Sequence, residues 1–281
     1  MSYIHDLPRP KMWRDQAPAA YAGGVVMSED GRLTWRVSNQ GMPETAATHN
    51  LLDASSPKAA RVLYVAGFGR GVFKSTDGGR KWTPKNDGLS QKDPFAWRLA
   101  QAPDGALYLA VARRGDDGSV GNDGDDALYR SVDAADHWNK ISSPGGLNGP
   151  YGIAIDPHDP SRLYLAAWGR KGRDRASSGG TWISTDGGAT WRNTLFRDQF
   201  IYDVTIDPRN PTALYACGFS SSASRSEDRG DTWRRIRGFN FKWGRRVIPD
   251  QWIPPKSMSP PTAAACSTAR RRMISALRKM L

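Results

Sequence analysis

The sequence predicts an all-β protein built from repeated four-stranded antiparallel sheets. Three observations support this: one eight-residue motif occurs five times, short β-prone runs fill each interval, and the chain contains 29 glycines and 19 prolines. The motif reads Ser-x-Asp-x-Gly-x-x-Trp, and its copies begin at Ser28, Ser75, Ser131, Ser184 and Ser226. The spacing of 42 to 56 residues is typical of a supersecondary unit that buries its apolar face only by stacking on its neighbours.

The interval after residue 200 shows the strands of one unit most clearly. β-prone runs bounded by turn residues lie at 201–208, 213–219, 223–228 and 232–236. The same order occurs in the preceding unit at 151–157, 162–168, 181–184 and 190–195. Four antiparallel strands in about 45 residues correspond to one blade of a β-propeller.

The repeats predict an incomplete propeller with four full blades and two partial ones. The full blades are expected at 46–86, 95–142, 151–196 and 201–238. The first motif copy has only its own hairpin, Gly23 to Val37, and a further inner strand begins in Trp243–Asp250 before the pattern stops. We therefore divide the chain into an N-terminal arm (1–22), a propeller (23–250) and a basic, Pro/Ala-rich tail (251–281). The tail does not follow the repeat, as would result from a truncation or a change of reading frame.

The eight-residue motif resembles the BNR or Asp-box repeat over about Gly23–Asp250. This repeat occurs in sialidases, sortilin-type receptors, xyloglucan-active glycoside hydrolases and photosystem II assembly propellers. An Ile-Asp-Pro phrase followed by Leu-Tyr, at 155–166 and 206–216, is most similar to the xyloglucanase-like and sortilin-like branch. The resemblance implies a propeller related to glycosyl hydrolases and sialidases and associated with carbohydrate. It equally allows a non-catalytic propeller that binds protein or glycan, and it implies a secreted or periplasmic location.

The aspartates of the motif are predicted to stabilise turns rather than to catalyse. In such a hairpin a carboxylate accepts backbone N–H bonds, glycine adopts positive φ, and the tryptophan packs on the turn. The motif aspartates are Asp30, Asp77, Asp133, Asp186 and Asp228, and the tryptophans are Trp35, Trp82, Trp138, Trp191 and Trp233. The third copy has Ala134 and Ala135 in place of glycine and the first has Arg32, so these two turns are expected to be looser or of another type.

A candidate site emerges when the inner strands are aligned on their shared Asp and Pro positions. One column of the alignment contains His49, Arg98, Gly152, Asp203 and Arg246. The next column contains Thr48, Trp97, Tyr151, Tyr202 and Arg245. Charged and aromatic residues thus occur where the strands converge on the channel, although polar strand ends are also ordinary. The predicted second strands of three blades end on an aromatic residue, namely Phe68, Trp168 and Phe219. Aromatic rings at these positions either stack on sugars or pack the core.

Two classes of function remain open at this stage. A glycosidase needs two carboxyl groups about 5 to 9.5 Å apart, and the inner column offers only Asp203 as a candidate catalytic residue. Its partner would have to come from Asp198 or from the loop 116–126. The alternative is a propeller without catalysis, whose mouth binds a glycan or a protein.

Two long loops on the same side carry opposite charge. The loop Arg113–Asp126 contains closely spaced aspartates, and the loop Gly169–Gly180 contains four basic residues. Calcium is the one cofactor considered, because it prefers six to eight oxygen ligands. The alternative is a solvated acidic loop. The possible ligands are Asp116, Asp117, Asp123 and Asp125.

The net charge of +12 does not indicate a nucleic-acid partner. Nine basic residues lie in 241–281 beside a single acidic one, so the repeats themselves are only mildly basic. No stretch approaches the roughly 18 apolar residues of a membrane span, and the first 16 residues have no apolar signal-peptide core. With two cysteines, no disulfide framework is expected, and we expect a monomer.

Overall fold

The structure is a computed structural model, and its strands form five antiparallel sheets. It describes residues 2–4, 23–30, 33–90, 94–112, 127–144, 147–169, 179–195, 200–218, 222–237, 244 and 246–249. Within these ranges there are strands, turns and one short 3-10 helix at Lys58–Ala60, but no α-helix. The all-β prediction is confirmed.

Four of the sheets are complete four-stranded blades. Blade 1 contains β4 (Ala47–Leu52), β5 (Leu63–Gly67), β6 (Gly71–Ser75) and β7 (Thr83–Pro84). Blade 2 contains β8 (Phe95–Gln101), β9 (Leu107–Ala112), β10 (Ala127–Ser131) and β11 (Asn139–Ile141). Blade 3 contains β12 (Leu147–Asp156), β13 (Asp159–Gly169), β14 (Gly180–Ser184) and β15 (Arg192–Leu195). Blade 4 contains β16 (Ile201–Asp207), β17 (Asn210–Gly218), β18 (Ser222–Ser226) and β19 (Arg234–Arg235).

The fifth sheet, which we call the N-terminal sheet, has three strands. They are β1 (Ser2–Ile4), β2 (Gly23–Met27) and β3 (Arg36–Val37). The hairpin of β2 and β3 was expected from the sequence, but the pairing of β1 with β2 was not. A three-residue strand leaves almost no periodic signal, so the sequence alone offered no reason to place one there.

The blades are held together by apolar clusters at their boundaries. Each cluster joins two sheets that are consecutive in sequence. One lies between the N-terminal sheet and blade 1, and the others lie between blades 1 and 2, blades 2 and 3, and blades 3 and 4. The second strand of blade 2 is buried along its whole length, because the neighbouring sheets cover both of its faces. This explains why Leu107–Ala112 reads as an unbroken apolar run instead of an alternating one.

The repeated motif forms the hairpin between the third and fourth strands, which we call the motif turn. In blade 3, Asp186 Oδ1 accepts the Ser184 hydroxyl at 2.7 Å and the Thr190 backbone N–H at 2.9 Å. Ser184 Oγ in turn accepts the Gly188 N–H at 2.8 Å. The motif aspartate is bonded in the same way in the other blades. In each of the four blades, the motif aspartate thus accepts hydrogen bonds from within its own turn.

The third motif turn corrects an expectation. Ala134 and Ala135 adopt positive φ of 58° and 71°, so the turn has the glycine-like geometry of its relatives and is not of another type. The Ser131 and Asp133 bonds are retained, and Lys74 Nζ of blade 1 donates to the Ala134 carbonyl at 2.9 Å. These contacts impose a backbone conformation that alanine disfavours. In the first copy, residues 31 and 32 lie outside the described ranges, although Asp30 accepts the Thr34 N–H at 3.0 Å.

Candidate functional site

Members of the aligned inner column meet at the centre of the propeller. Arg98 on β8 of blade 2 reaches Asp203 on β16 of blade 4, 105 positions later in the chain. One guanidinium nitrogen of Arg98, Nη2, lies 2.7 Å from each carboxylate oxygen. Arg246 Nε, from the segment that follows blade 4, lies 3.0 Å from Oδ2 of the same carboxylate. The column read from the sequence is therefore a real cluster, with one carboxylate between two guanidinium groups.

Burial increases toward the carboxylate of this cluster. The side chain of Asp203 is 4% exposed and that of Arg98 is 15% exposed, whereas Arg246 is 45% exposed. Burial raises the pKa of Asp203 above its ordinary value, although the charges of Arg98 and Arg246 oppose that shift. Burial likewise lowers the pKa of Arg98, and the charge of Asp203 opposes it. Since both carboxylate oxygens are engaged, Asp203 is the buried centre of an ion-pair network.

His49 on β4 completes the polar part of the cluster as a neutral side chain. Burial, together with the positive charges of Arg98 and Arg246, lowers its pKa to about 3. The Leu99 backbone N–H points at Nδ1 from 3.4 Å, which matches an unprotonated ring nitrogen. His49 is thus held uncharged beside two arginines over the physiological pH range.

The remaining contacts explain two small residues at the centre. A Cβ atom on Gly152 would lie 2.8 Å from Oδ1 of Asp203, so only glycine leaves room for the carboxylate there. Cys217 is a buried free cysteine on β17, and burial together with the charge of Asp203 raises the pKa of its thiol to about 12. The thiol therefore remains protonated and is not a nucleophile at neutral pH.

Aromatic residues lie at the end of the blades opposite the motif turns, where second strands end and inner strands begin. The first aromatic group joins Phe68 to Phe95 and Trp97, with ring centroids 4.4 and 5.8 Å apart. Phe68 and Phe95 are buried, so this group mainly packs the boundary between blades 1 and 2. Thr48 lies nearby and donates its hydroxyl to the Ala96 carbonyl at 2.9 Å.

The second aromatic group lies at the boundary of blades 3 and 4 and is more open. Trp168 contacts Phe200 and Tyr202 edge to face, with ring centroids 5.2 and 5.0 Å apart. All three side chains are partly exposed. This group therefore combines predicted ligand-binding candidates with an accessible apolar surface.

Phe95 and Phe200 were not predicted from the sequence. Each lies three residues before a member of the inner column, as Phe95-x-x-Arg98 and Phe200-x-x-Asp203. Extending the alignment by two columns would have found them. The side chain of Tyr151 and all of Arg245, Asp198 and Phe219 lie outside the described residues.

The acidic loop 113–126 and residues 170–178 of the basic loop lie outside the described residues, so the calcium prediction for Asp116, Asp117, Asp123 and Asp125 stays a prediction. Among the residues with a described placement, no group of three His, Cys, Asp or Glu side chains is arranged to bind a metal ion. The same part of the chain contains no helix with the length and apolar character needed to cross a bilayer.

Comparison with known proteins agrees with this architecture. No family model matches the sequence. A xyloglucanase of Paenibacillus sp is 31% identical over 114 residues, which is 37% of this chain and 10% of that enzyme. The GH74 enzyme of Niastella koreensis matches the fold with a TM-score of 0.59 at 22% identity, over 75% of this chain and 35% of that one. The GH74 xyloglucanase of Xanthomonas campestris matches with a TM-score of 0.55 at 20% identity over the same shares of both chains.

The likeness to the two solved enzymes extends over most of the propeller but over only about a third of each enzyme. The chain spans an even smaller part, 10%, of the Paenibacillus relative. This chain is accordingly a β-propeller with GH74 xyloglucanases among its structural neighbours and with xyloglucanase homologues at low sequence identity.

Proposed function

We propose that this propeller binds carbohydrate chains on the face opposite the motif turns and does not hydrolyse them. The observation that carries the proposal is the state of Asp203. Its carboxylate is buried, and both of its oxygens lie within 3.0 Å of arginine nitrogens. A buried carboxylate paired with two arginines is poorly placed to attack a sugar or to serve as an acid–base group.

Hydrolysis also needs a second carboxyl group. Glycosidases place two carboxyl groups about 5 to 9.5 Å apart, one as acid and one as base or nucleophile. Asp203 is the only carboxylate in the inner column, and both of its charge partners are arginines. The central cluster therefore favours a structural role over an acid–base pair.

The second aromatic group supplies the binding surface in this proposal. Partly exposed rings at strand ends offer an apolar platform for the C–H faces of a sugar. Trp168 lies on β13 of blade 3 and Tyr202 on β16 of blade 4, and Phe200 directly precedes β16, so the packing of the two blades holds the rings in place. The names of the xyloglucanase relatives suggest xyloglucan and related neutral β-glucans as the first ligands to test.

The test is calorimetric titration with xyloglucan oligosaccharides and a panel of other neutral glycans. Trp168→Ala is expected to weaken binding by at least about tenfold, because a stacked aromatic anchor contributes more than 1 kcal/mol. Val132→Ala is the control, since Val132 is an exposed apolar residue in the motif turn of blade 2, at the other end of the propeller. No reducing ends should be released from any bound glycan.

Two results would contradict the proposal. Release of reducing ends that disappears in a folded Asp203→Asn variant would show a glycosidase with Asp203 as a catalytic residue. Absence of glycan binding, together with capture of a defined protein partner that Trp168→Ala abolishes, would favour a protein-binding propeller instead.

A further inference from the structure

A cleft on the outer part of blade 1 is lined by three lysines. It includes residues of the motif turn, so it lies at the other end of the propeller from the aromatic groups, and its volume is about 240 Å³. Lys74 is on β6, Lys81 is in the motif turn and Lys85 follows β7. The remaining lining residues are Thr76, Asp77 and Thr83. Pockets for small molecules are typically about 300 to 1,000 Å³, so this cleft suits a ligand no larger than a single sugar residue.

The three lysines belong to blade 1 alone and are not part of the repeat. They stand directly before the motif serine, directly before the motif tryptophan and three positions after that tryptophan. The corresponding residues are Arg130, His137 and Ile141 in blade 2, Ile183, Thr190 and Thr194 in blade 3, and Arg225, Thr232 and Ile236 in blade 4. The fold of a blade therefore does not require lysine at any of these positions.

Lys81 also changes the hydrogen bonding of the motif aspartate. In blades 3 and 4 a threonine at this position donates its hydroxyl to Oδ2 of the aspartate, as Thr190 does to Asp186. In blade 1 the bonds to Asp77 all reach Oδ1, from the Ser75 hydroxyl and two backbone N–H groups at 2.7 to 3.0 Å. Among the described residues, Oδ2 of Asp77 accepts no hydrogen bond. The cleft thus includes a carboxylate oxygen that can accept a bond from a ligand.

Two of the lysines are held in place by the motif turn of blade 2. Lys74 Nζ donates to the Ala134 carbonyl at 2.9 Å, and Lys85 Nζ lies 2.6 Å from Oδ1 of Asp136. The side chain of Lys81 is exposed and makes no ion pair or hydrogen bond within the described part of the chain. Three positive charges thus face two negative ones, the motif aspartate and Asp136, which leaves the cleft with one positive charge in excess.

We propose that this cleft binds an acidic sugar, of which a uronic acid is the simplest example. The ligand carboxylate pairs with the lysine ammonium groups, and a ring hydroxyl donates to Oδ2 of Asp77. A bare oxyanion such as sulfate offers acceptors only and is repelled by Asp77, whereas a hydroxylated acid matches both the lysines and the aspartate. The site is separate from the glycan-binding face proposed above, so neither proposal depends on the other.

Ligand-observed NMR titration with D-glucuronate tests the site. D-Glucuronate is expected to bind at least about tenfold more tightly than D-glucose, acetate or sulfate, because only glucuronate combines the negative charge with ring hydroxyls. Raising the salt concentration should weaken binding of glucuronate, since the cleft is open to solvent and its charges are screened.

Lys81→Thr is the most informative variant, because blades 3 and 4 have threonine at this position and fold with it. The threonine hydroxyl should occupy Oδ2 of Asp77 while the charge is lost, so glucuronate binding is expected to weaken at least about tenfold in a folded protein. Lys81→Arg keeps the charge and should retain most of the binding. His137→Thr is the control, since it makes the same change in the motif turn of blade 2, outside the cleft.

Three results would overturn the proposal. They are a wild-type protein that binds glucuronate no better than glucose, a folded Lys81→Thr variant that binds it as tightly as the wild type, and a His137→Thr control that weakens binding equally. Sulfate binding as tight as that of glucuronate would show a general anion site and would contradict the role given to Asp77. If Lys81→Thr does not fold, Lys81→Gln removes the same charge and is held to the same tenfold loss.

Discussion

At the scale of single residues, the third motif turn shows how tertiary contacts override a local preference. Ala134 adopts φ of 58°, a conformation in which Cβ crowds the backbone and which costs roughly 1 to 2 kcal/mol. The equivalent position in blade 3 is Gly187, with φ of 71° and open space around its Cα. The two positions form a natural pair for measuring that cost.

We predict opposite effects of exchanging these two residues. Ala134→Gly should raise the free energy of unfolding by about 1 kcal/mol, because it relieves strain at an exposed position. Gly187→Ala should lower it by about the same amount. Denaturant unfolding of both variants measures this, and equal signs for the two changes would show that Ala134 is not strained.

His49 is the second residue whose environment makes a measurable prediction. Its pKa is about 3 in the folded chain and near 6.5 when unfolded. Between these values the unfolded state takes up a proton and the folded state does not, so stability falls as the pH is lowered from about 6.5 toward 3. The loss approaches about 1.4 kcal/mol for each pH unit once the pH is well below 6.5.

The variant His49→Gln should flatten this part of the stability profile between pH 6.5 and 5. Asp203, whose pKa is raised, acts in the opposite direction, so the comparison must be between variant and wild type rather than within one profile. His158→Gln is the control, because His158 is exposed. An unchanged slope in His49→Gln would show that His49 is protonated in the folded state.

At the scale of the element, the motif turn forms a hairpin within its own blade and also packs against the preceding sheet. Its tryptophan contacts the loop after the preceding outer strand, which contains Asn39-x-Gly41 before blade 1 and Asn86-x-Gly88 before blade 2. Gly41 and Gly88 both have φ of 82°, and a Cβ atom on either would lie within 2.2 Å of the tryptophan carbonyl oxygen. This Asn-x-Gly pattern was not singled out from the sequence, because its meaning depends on a partner more than 40 positions away.

The hydrogen bonds donated by the motif tryptophans should differ in how much they contribute to the free energy of unfolding. Trp82→Phe leaves the buried Ser38 carbonyl without its donor and is expected to cost about 1 to 3 kcal/mol. Trp191→Phe should cost less than about 1 kcal/mol, because its 3.1 Å bond to Ser142 is open to solvent. Thermal and denaturant unfolding of both variants measures the difference, and equal costs would argue against burial as its cause.

At the scale of the whole molecule, the central ion pair connects parts of the chain that share no strand pairing. Arg98 belongs to blade 2, Asp203 to blade 4, and Arg246 to the segment after blade 4. Removing one member leaves a buried charge without its partner, which is more costly than never having had the pair. The cluster therefore makes the stability of one blade depend on another.

Asp203→Asn is expected to lower the free energy of unfolding by about 3 to 5 kcal/mol. Glu29→Gln is the matched control, since Glu29 also bonds an arginine, Arg36, at 3.0 Å but on the surface. Solvent screens an exposed pair of this kind, so Glu29→Gln should change stability far less than Asp203→Asn. A folded Asp203→Asn variant of nearly normal stability would show that the carboxylate is not structural and would reopen a catalytic role.

Much of this architecture could be predicted without coordinates, because it depends on short local motifs and on periodic sequence patterns. Strand limits in blade 4 and the turn role of the motif aspartates follow from alternation and turn chemistry. The inner column could be aligned because most inner strands end at an Asp, while that of blade 2 is followed by Pro103, which matches Pro208. A period of two then determines which side chains face the same way. That alignment placed Arg98, Asp203 and Arg246 together before any distance was known.

The sequence by itself therefore determined the repeat, the strands, the turns and the membership of the inner column. Only the tertiary structure decided which members touch, since contact across the channel depends on how the blades curve around it and not on any one blade. The same holds for Trp35 and Trp82, which share one motif but differ in exposure, since Trp82 is packed on the preceding sheet and donates its indole N–H to Ser38. Local sequence specifies a side chain and its direction, and the neighbouring blades specify what that side chain meets.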